Sequence, residues 1–268
     1  AMQGLKSFIP TERKIAYLNQ LLEVGFHTLD FGSFVSPKAI PQMRDTTQVV
    51  RKLDLTHTST KLLAIVANER GASDAANFEE ITYLGYPFSV SPTFLKRNIN
   101  STLEEAFQRA EVIQGICKSK GKTLVTYVSM AFGNPYGDNW DEEILMEWVG
   151  RLNTLDIAVV SLADTTGVAN PEEIGKVFAL CRRNFQEIEF GLHLHTTRPK
   201  WKMKIEAAYE KGCRRFDGVI NGLGGCPMAG EKLVGNVNTS WLIQFFEAKG
   251  ENISFNKSLM AQIEKMAF

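Results

Sequence analysis

Apolar, β-branched runs of strand length alternate with segments of helical period from one end of the chain to the other. Strands are expected over residues 27–33, 62–67, 87–91, 124–131, 157–163, 189–195 and 216–221. Helices are expected near 12–24, 42–52, 72–84, 101–119, 141–154, 171–184 and 200–211, with two more beyond 237. Several of these carry helix-start chemistry. Thr11 precedes Lys14 and Ile15, Ser101-Thr102-Leu103-Glu104 reads as a capping box, and Asn170-Pro171-Glu172-Glu173 sets proline at the first helical position.

Strand and helix in strict alternation are the pattern of βα units around a parallel sheet. No linker, low-complexity stretch or charge block divides the sequence, so one domain over residues 1–268 is expected. The chain opens on a helix and shows seven strands, where a closed barrel of this kind has eight. The expected fold is therefore an α/β TIM (β/α)₈ barrel lacking its first strand in this chain. Ala1 directly before Met2 reads as a residue left by an expression tag, with Met2 an internal methionine of a longer natural protein.

Composition narrows the class of partner. Thirty basic and thirty acidic side chains leave a net charge of zero, which gives no reason to expect nucleic acid or an anionic membrane. Cys117, Cys181, Cys213 and Cys226 stand at wide spacings with no C-x-x-C pair, so neither a disulfide scaffold nor a structural zinc site is expected. That usage suits a reducing compartment. With no apolar leader and no bilayer-length run, a soluble cytoplasmic protein is expected.

Active sites of such barrels lie at the C-terminal ends of the strands, so strand-end residues are the candidates. His193 and His195, two apart on a strand, project from one face. They read either as a pair of metal ligands or as barrel-lining histidines bonded to their neighbours. Asp30 ends the first visible strand and Asp164 the fifth, each expected to face the same mouth as ligand, base or anchor for a histidine. A helix cap or a structural hydrogen bond is the plainer role for either. The glycine-rich loop over residues 222–230 can turn backbone N–H groups toward an anion and carries Cys226, a thiol able to act as acid or base from a lid, or an inert one in a plain turn. Asn236 follows with an amide oxygen that a hard cation accepts. Lys38, after Ser33, is placed to meet a phosphate or carboxylate. Arg198, Lys200, Lys202 and Lys204 read as a solvated helix face or as charges steering an anionic acyl carrier. Tyr127, Asn134 and Tyr136 either shape the pocket or simply pack.

Five segments together make the chain resemble the HMG-CoA lyase family, within the wider group of metal-dependent TIM-barrel lyases and acyltransferases. They are residues 31–43, Lys96-Arg97-Asn98-Ile99-Asn100, Ala163-Asp164-Thr165-Thr166-Gly167-Val168, His193-Leu194-His195 and Gly222-Leu223-Gly224-Gly225-Cys226-Pro227. The likeness runs from about residue 3 to residue 245. It implies a TIM barrel that cleaves 3-hydroxy-3-methylglutaryl-CoA to acetyl-CoA and acetoacetate. It also implies that His193, His195 and Asn236 bind Mg²⁺ or Mn²⁺, that Cys226, Asp30 and His193 are catalytic, and that Ser33, Lys38, Asp164, Gly224 and Gly225 meet the acyl-CoA substrate. A homodimer is the expected assembly. Asp30 stands where the family usually has glutamate, Thr196 where many members have aspartate, and Ser240 where an acidic residue is frequent. The family's first strand ends in an Arg-Asp pair, ligand and enolate stabiliser, which would lie before Ala1. Loss of such a preorganised cation costs on the order of a hundredfold in rate, so weak or absent catalysis is expected of this chain. Two other readings stand beside the lyase. One is a condensing enzyme like isopropylmalate or citramalate synthase, against which the Gly-Gly-Cys-Pro segment and the missing C-terminal regulatory domain speak. The other is a noncatalytic acyl-CoA-binding relative.

Overall fold

The computed structural model describes residues 2–5, 7–225 and 234–266. Helix α1 (Thr11–Val24) leads into β1 (Thr28–Ser33), and the chain then runs through α2 (Thr46–Val50), β2 (Lys61–Ile65), α3 (Glu69–Ala76) and β3 (Ile81–Ser89). Two helices, α4 (Pro92–Ile99) and α5 (Leu103–Ser119), precede β4 (Thr123–Ser129). After α6 (Glu142–Asn153), β5 (Val159–Asp164), α7 (Pro171–Asn184), β6 (Glu189–Leu194), α8 (Trp201–Glu210) and the short β7 (Arg215–Phe216) come α9 (Thr239–Ala248) and α10 (Lys257–Met266).

The seven strands form one sheet in sequence order, every neighbouring pair parallel. This is the arrangement expected when each strand returns through a helix. Leu63 of β2 meets Val125 of β4 and Val159 of β5 on one face, with Ile65, Tyr83 and Tyr127 packed against them. Side chains from strands that are not neighbours touch there because the sheet curls into a half-barrel. Its convex face packs on the helices through a far larger core running from Ile15 to Ile263. Among the described residues β1 and β7 are not paired with each other, so the sheet stays open between them.

Local chemistry accounts for most boundaries and corrects some expectations. Asn170 and Glu173 do form a capping box around Pro171. On α5 the box belongs to Thr102 and Glu105, one residue later than the sequence pattern indicated. Thr11 is helical, and its hydroxyl donates to Asp45 at 2.8 Å. The expected helix over 72–84 ends at Ala76, and β3 begins at Ile81. Proline was expected to open that strand, yet Pro87 lies inside it and the β3–β4 register runs unbroken through Tyr86, Pro87 and Phe88. Helix α4 was not expected. Ser91 caps it by accepting from Phe94 N, with Pro92 in the first turn. The strand expected over 216–221 is only Arg215–Phe216, followed by a 3₁₀ turn at Ile220–Gly222. Among the described residues no helix is long and apolar enough to cross a membrane.

Candidate active site

Alternation along β6 decides which side chains reach the concave face. Phe190, Leu192 and Leu194 enter the convex core, which sends His193 to the other side. His195, just beyond the strand, keeps that phase, and the two imidazoles stand 5.4 Å apart, centre to centre, at 63°. His193 Nδ1 lies 3.0 Å from Asp217 Oδ2, and His195 Nδ1 lies 3.0 Å from the carbonyl oxygen of Val234. A carbonyl and a carboxylate only accept, so each ring donates through Nδ1–H, and its Nε2 has no partner among the described residues.

Asn236 joins them from the segment after the glycine loop. Its backbone bridges His195 in antiparallel fashion, supported by Thr196 N donating to Gly235 O at 2.8 Å. Its Nδ2 donates to Leu223 O at 2.8 Å, leaving Oδ1 as an acceptor. Among the described residues no three His, Cys, Asp or Glu side chains gather closely enough to hold a metal by themselves. The donor set is instead two imidazoles and an amide oxygen, each with its other polar atom tied to protein. That set fits a divalent cation. His195 is 5% exposed. Burial, helped by the nearby His193, pushes its pKa down to about 4 against the pull of the Val234 carbonyl. It is therefore neutral at physiological pH, as a ligand must be.

Asp30 lies within β1 rather than at its end, one residue ahead of a bulge that shifts the register between Asp30 and Gly32. Solvent reaches its side chain. The walls of the half-barrel nevertheless crowd it, and this desolvation pushes its carboxyl up to about 6. Asp217 adds to the rise, while His193 and the Gly32 N–H oppose it. Tyr127 sets its ring edge-on to His193 at 5.8 Å. Its phenol is driven far above the usual range, by burial first and by the Asp217 and Asp30 carboxylates after it. Ser161 Oγ donates to Asp217 Oδ2 at 3.4 Å. Asp30, Tyr127, Ser161, His193 and Asp217 thus share one face, with His195 and Asn236 at its rim.

Asp164 is not part of this group. Ala163 takes the inward phase of β5, and Asp164 points into the helix layer, 1% exposed, against the expectation that it faces the mouth. It accepts from Lys204 Nζ at 2.8 Å and from Val168 N at 3.0 Å. Lys204, expected on a solvated helix face or as a steering charge, is equally buried and also donates to Gly167 O at 3.0 Å. Arg198, Lys200 and Lys202 are exposed. Gly167 itself sits at φ +73°, where a Cβ would come within 3.0 Å of both His195 O and Val234 Cγ1, so glycine there lets the β5 loop lie against the histidine turn.

Ser33 ends β1 buried, its Oγ without a hydrogen-bond partner. Lys38 is exposed on the following loop. Gly224 and Gly225 take φ +89° and +150°, and Cys226 lies outside the described residues. Asn134 folds its own loop by accepting from Tyr136 N and Asp138 N, and Tyr136 stacks under Arg97 at 4.6 Å. Asp217 was missed by the sequence reading. The available signal was its place in Arg215-Phe216-Asp217, where alternation puts an acid on the inner face of the last strand.

The family model described as HMGL-like matches residues 2–266. The chain is 31% identical to the hydroxymethylglutaryl-CoA lyase of Bacillus subtilis, an alignment covering 97% of this chain and 87% of that protein. With the hydroxymethylglutaryl-CoA lyase of Pseudomonas mevalonii the identity is 28%, covering 98% and 86%. Among solved structures, the HMG-CoA lyase of Bacillus subtilis superposes with a TM-score of 0.92 at 29% identity, covering 99% of this chain and 88% of that one. An Acinetobacter baumannii HMG-CoA lyase in complex with coenzyme A and 3-methylmalate gives 0.90 at 31% identity, covering 98% and 85%.

Proposed function

The chain belongs to the HMGL-like family, and on that premise we propose that it is a carbon–carbon lyase cleaving 3-hydroxy-3-methylglutaryl-CoA to acetyl-CoA and acetoacetate. One observation carries the reading. His193, His195 and Asn236 stand together, the rings 5.4 Å apart and Asn236 bridged to His195, each anchored through one polar atom while Nε2, Nε2 and Oδ1 have no partner among the described residues. A divalent cation bound there, Mg²⁺ or Mn²⁺, supplies the positive charge that acidifies the substrate's tertiary hydroxyl.

The chain's own groups supply the rest. Neutral His195 presents its Nε2 lone pair, with Nε2 of His193 and Oδ1 of Asn236 beside it. Asp30 stands on the same concave face to take the hydroxyl proton on its carboxylate. As the C2–C3 bond breaks, its electron pair passes to the thioester and the hydroxyl carbon becomes the ketone of acetoacetate. The Cys226 thiol then delivers a proton to the enolate carbon, completing acetyl-CoA, and regains one from solvent. Ser33, Lys38, Gly224 and Gly225 are assigned to the acyl-CoA, with Lys38 toward its phosphates. Asp164 and Lys204 hold the β5 loop in place. A reducing cytoplasm completes the reading, in keeping with buried, unpaired Cys117, Cys181 and Cys213.

The test is acetoacetate release from HMG-CoA with Mg²⁺ or Mn²⁺. It is run on this chain and on a form extended upstream along the natural reading frame. Cleavage that EDTA abolishes is the expected result. His195→Ala should lower it by more than the roughly tenfold to hundredfold typical of losing an outer partner of a metal ligand. Silence of both forms with every cation overturns the proposal.

A further inference from the structure

We propose that Asp217 is the positioning residue of this site, holding His193 in the Nδ1–H tautomer and in the ring orientation that offers Nε2 to a divalent cation. The inference rests on the reading of His193 as a ligand and adds a part for a residue outside that ligand set.

Four observations carry it. Asp217 N donates to Leu192 O at 3.1 Å, which extends the β6–β7 ladder one residue past Phe216 and brings the Asp217 side chain to the face that His193 occupies. The Asp217 Oδ2 to His193 Nδ1 distance is 3.0 Å, and both side chains are about three-quarters shielded, at 28% and 27% exposure. Ser161 Oγ donates to the same Oδ2 at 3.4 Å, so the accepting oxygen is held from β5 as well as from β7. Tyr127 closes the other side, its ring at 82° to the imidazole, which limits rotation of His193.

The two histidines are therefore not equivalent. His195 is oriented by a neutral carbonyl on the segment that follows the glycine loop, His193 by a carboxylate fixed on the sheet. A charged acceptor makes the stronger hydrogen bond, so the sheet, not the loop, sets the direction of the His193 ring. Asp217 meets neither substrate nor cation in this arrangement and acts only through the imidazole.

The experiment uses the full chain and two variants, Asp217→Ala and Asp217→Asn. Nitrogen-15 NMR of labelled histidines reads the His193 tautomer without added metal, with the signal assigned by His193→Gln. Mn²⁺ titration followed by electron paramagnetic resonance reads affinity. Wild type should show Nδ1–H at His193. Asp217→Ala should shift that ring toward Nε2–H and weaken Mn²⁺ binding by about 10–100-fold. Asp217→Asn, whose amide oxygen still accepts, should keep the tautomer and recover part of the affinity. Unchanged tautomer and affinity in Asp217→Ala, while His193→Gln weakens Mn²⁺, overturns this proposal alone. Lower affinity with an unchanged tautomer also overturns it, since that is a general loosening of the fold. A wild-type chain with no affinity for Mn²⁺ overturns the ligand reading and this inference together.

Discussion

Asp30 keeps its proton to about pH 6 because the concave face desolvates its carboxylate, and His195 loses its proton near pH 4 because burial desolvates its imidazolium. The two shifts act on stability with opposite signs. Between the usual carboxyl value of 3.8 and about 6, the unfolded chain ionises Asp30 while the folded chain does not, so stability falls as pH rises through that window. Between about 4 and 6.5 the unfolded chain protonates His195 while the folded chain does not, so stability rises with pH and this contribution is complete above 6.5. Asp30→Asn should therefore steepen the rise of stability with pH from 4 to 6. His195→Gln should leave a net fall. Urea unfolding at pH 4.5, 5.5 and 6.5, with EDTA present so that no cation competes with either proton, measures both slopes. An unchanged slope in either variant would remove the desolvating environment assigned to that residue. The histidine pair was legible in the sequence because two residues on one strand declare a shared face by spacing alone. Asp217 was not, because its link to His193 comes from the pairing of two strands whose register no local pattern encodes.

The strand phase that brings His193 inward also explains the misplacement of Asp164. Position at a strand end is visible in sequence, but which face a side chain takes depends on counting from a correctly placed strand, and Asp164 is one step out of phase with Ala163. Its partner Lys204 ties α8 to the end of β5, both side chains almost wholly removed from solvent. Removing one member of such a pair strands the other charge, so Lys204→Ala should cost about 3–5 kcal/mol in chemical denaturation. The double variant Asp164→Asn/Lys204→Met should recover much of that loss, because two neutral groups need no compensation. Equal stability of single and double variants would show that solvent already reaches the pair. Elements with strong local signals, such as α7 with its capping box and β4 and β5 with their apolar runs, were legible to within a few residues. The start of β3 was hidden because Ile81, Thr82, Tyr83 and Leu84 suit the buried side of a helix or a strand equally. Only pairing of Tyr83 with Leu63 and Thr123 decides between them.

At the scale of the whole molecule, the sheet and the helix layer close differently. The sheet ends at β1 on one side and β7 on the other, whereas α10 returns to pack against α1. The junction is built in detail. Asn256 N donates to Val24 O at 2.9 Å, Phe255 packs on Phe26 with ring centres 5.0 Å apart, and Gly25 at φ +100° lets Ser254 O approach to where a Cβ would stand only 2.9 Å away. The outer layer thus joins the two ends of a half-barrel whose inner layer does not meet among the described residues, and one hydrophobic core passes through the junction from Ile15 to Ile263. If that junction belongs to the same cooperative unit as the sheet, a lesion in α10 must be felt at the centre. Ile263 is fully buried, and Ile263→Ala should cost about 2–5 kcal/mol. The loss should shift tryptophan fluorescence, which reports Trp140, Trp148, Trp201 and Trp241, and far-ultraviolet circular dichroism to the same urea midpoint. Separate midpoints would mean that α10 melts alone and that the open sheet holds its curvature without the clasp.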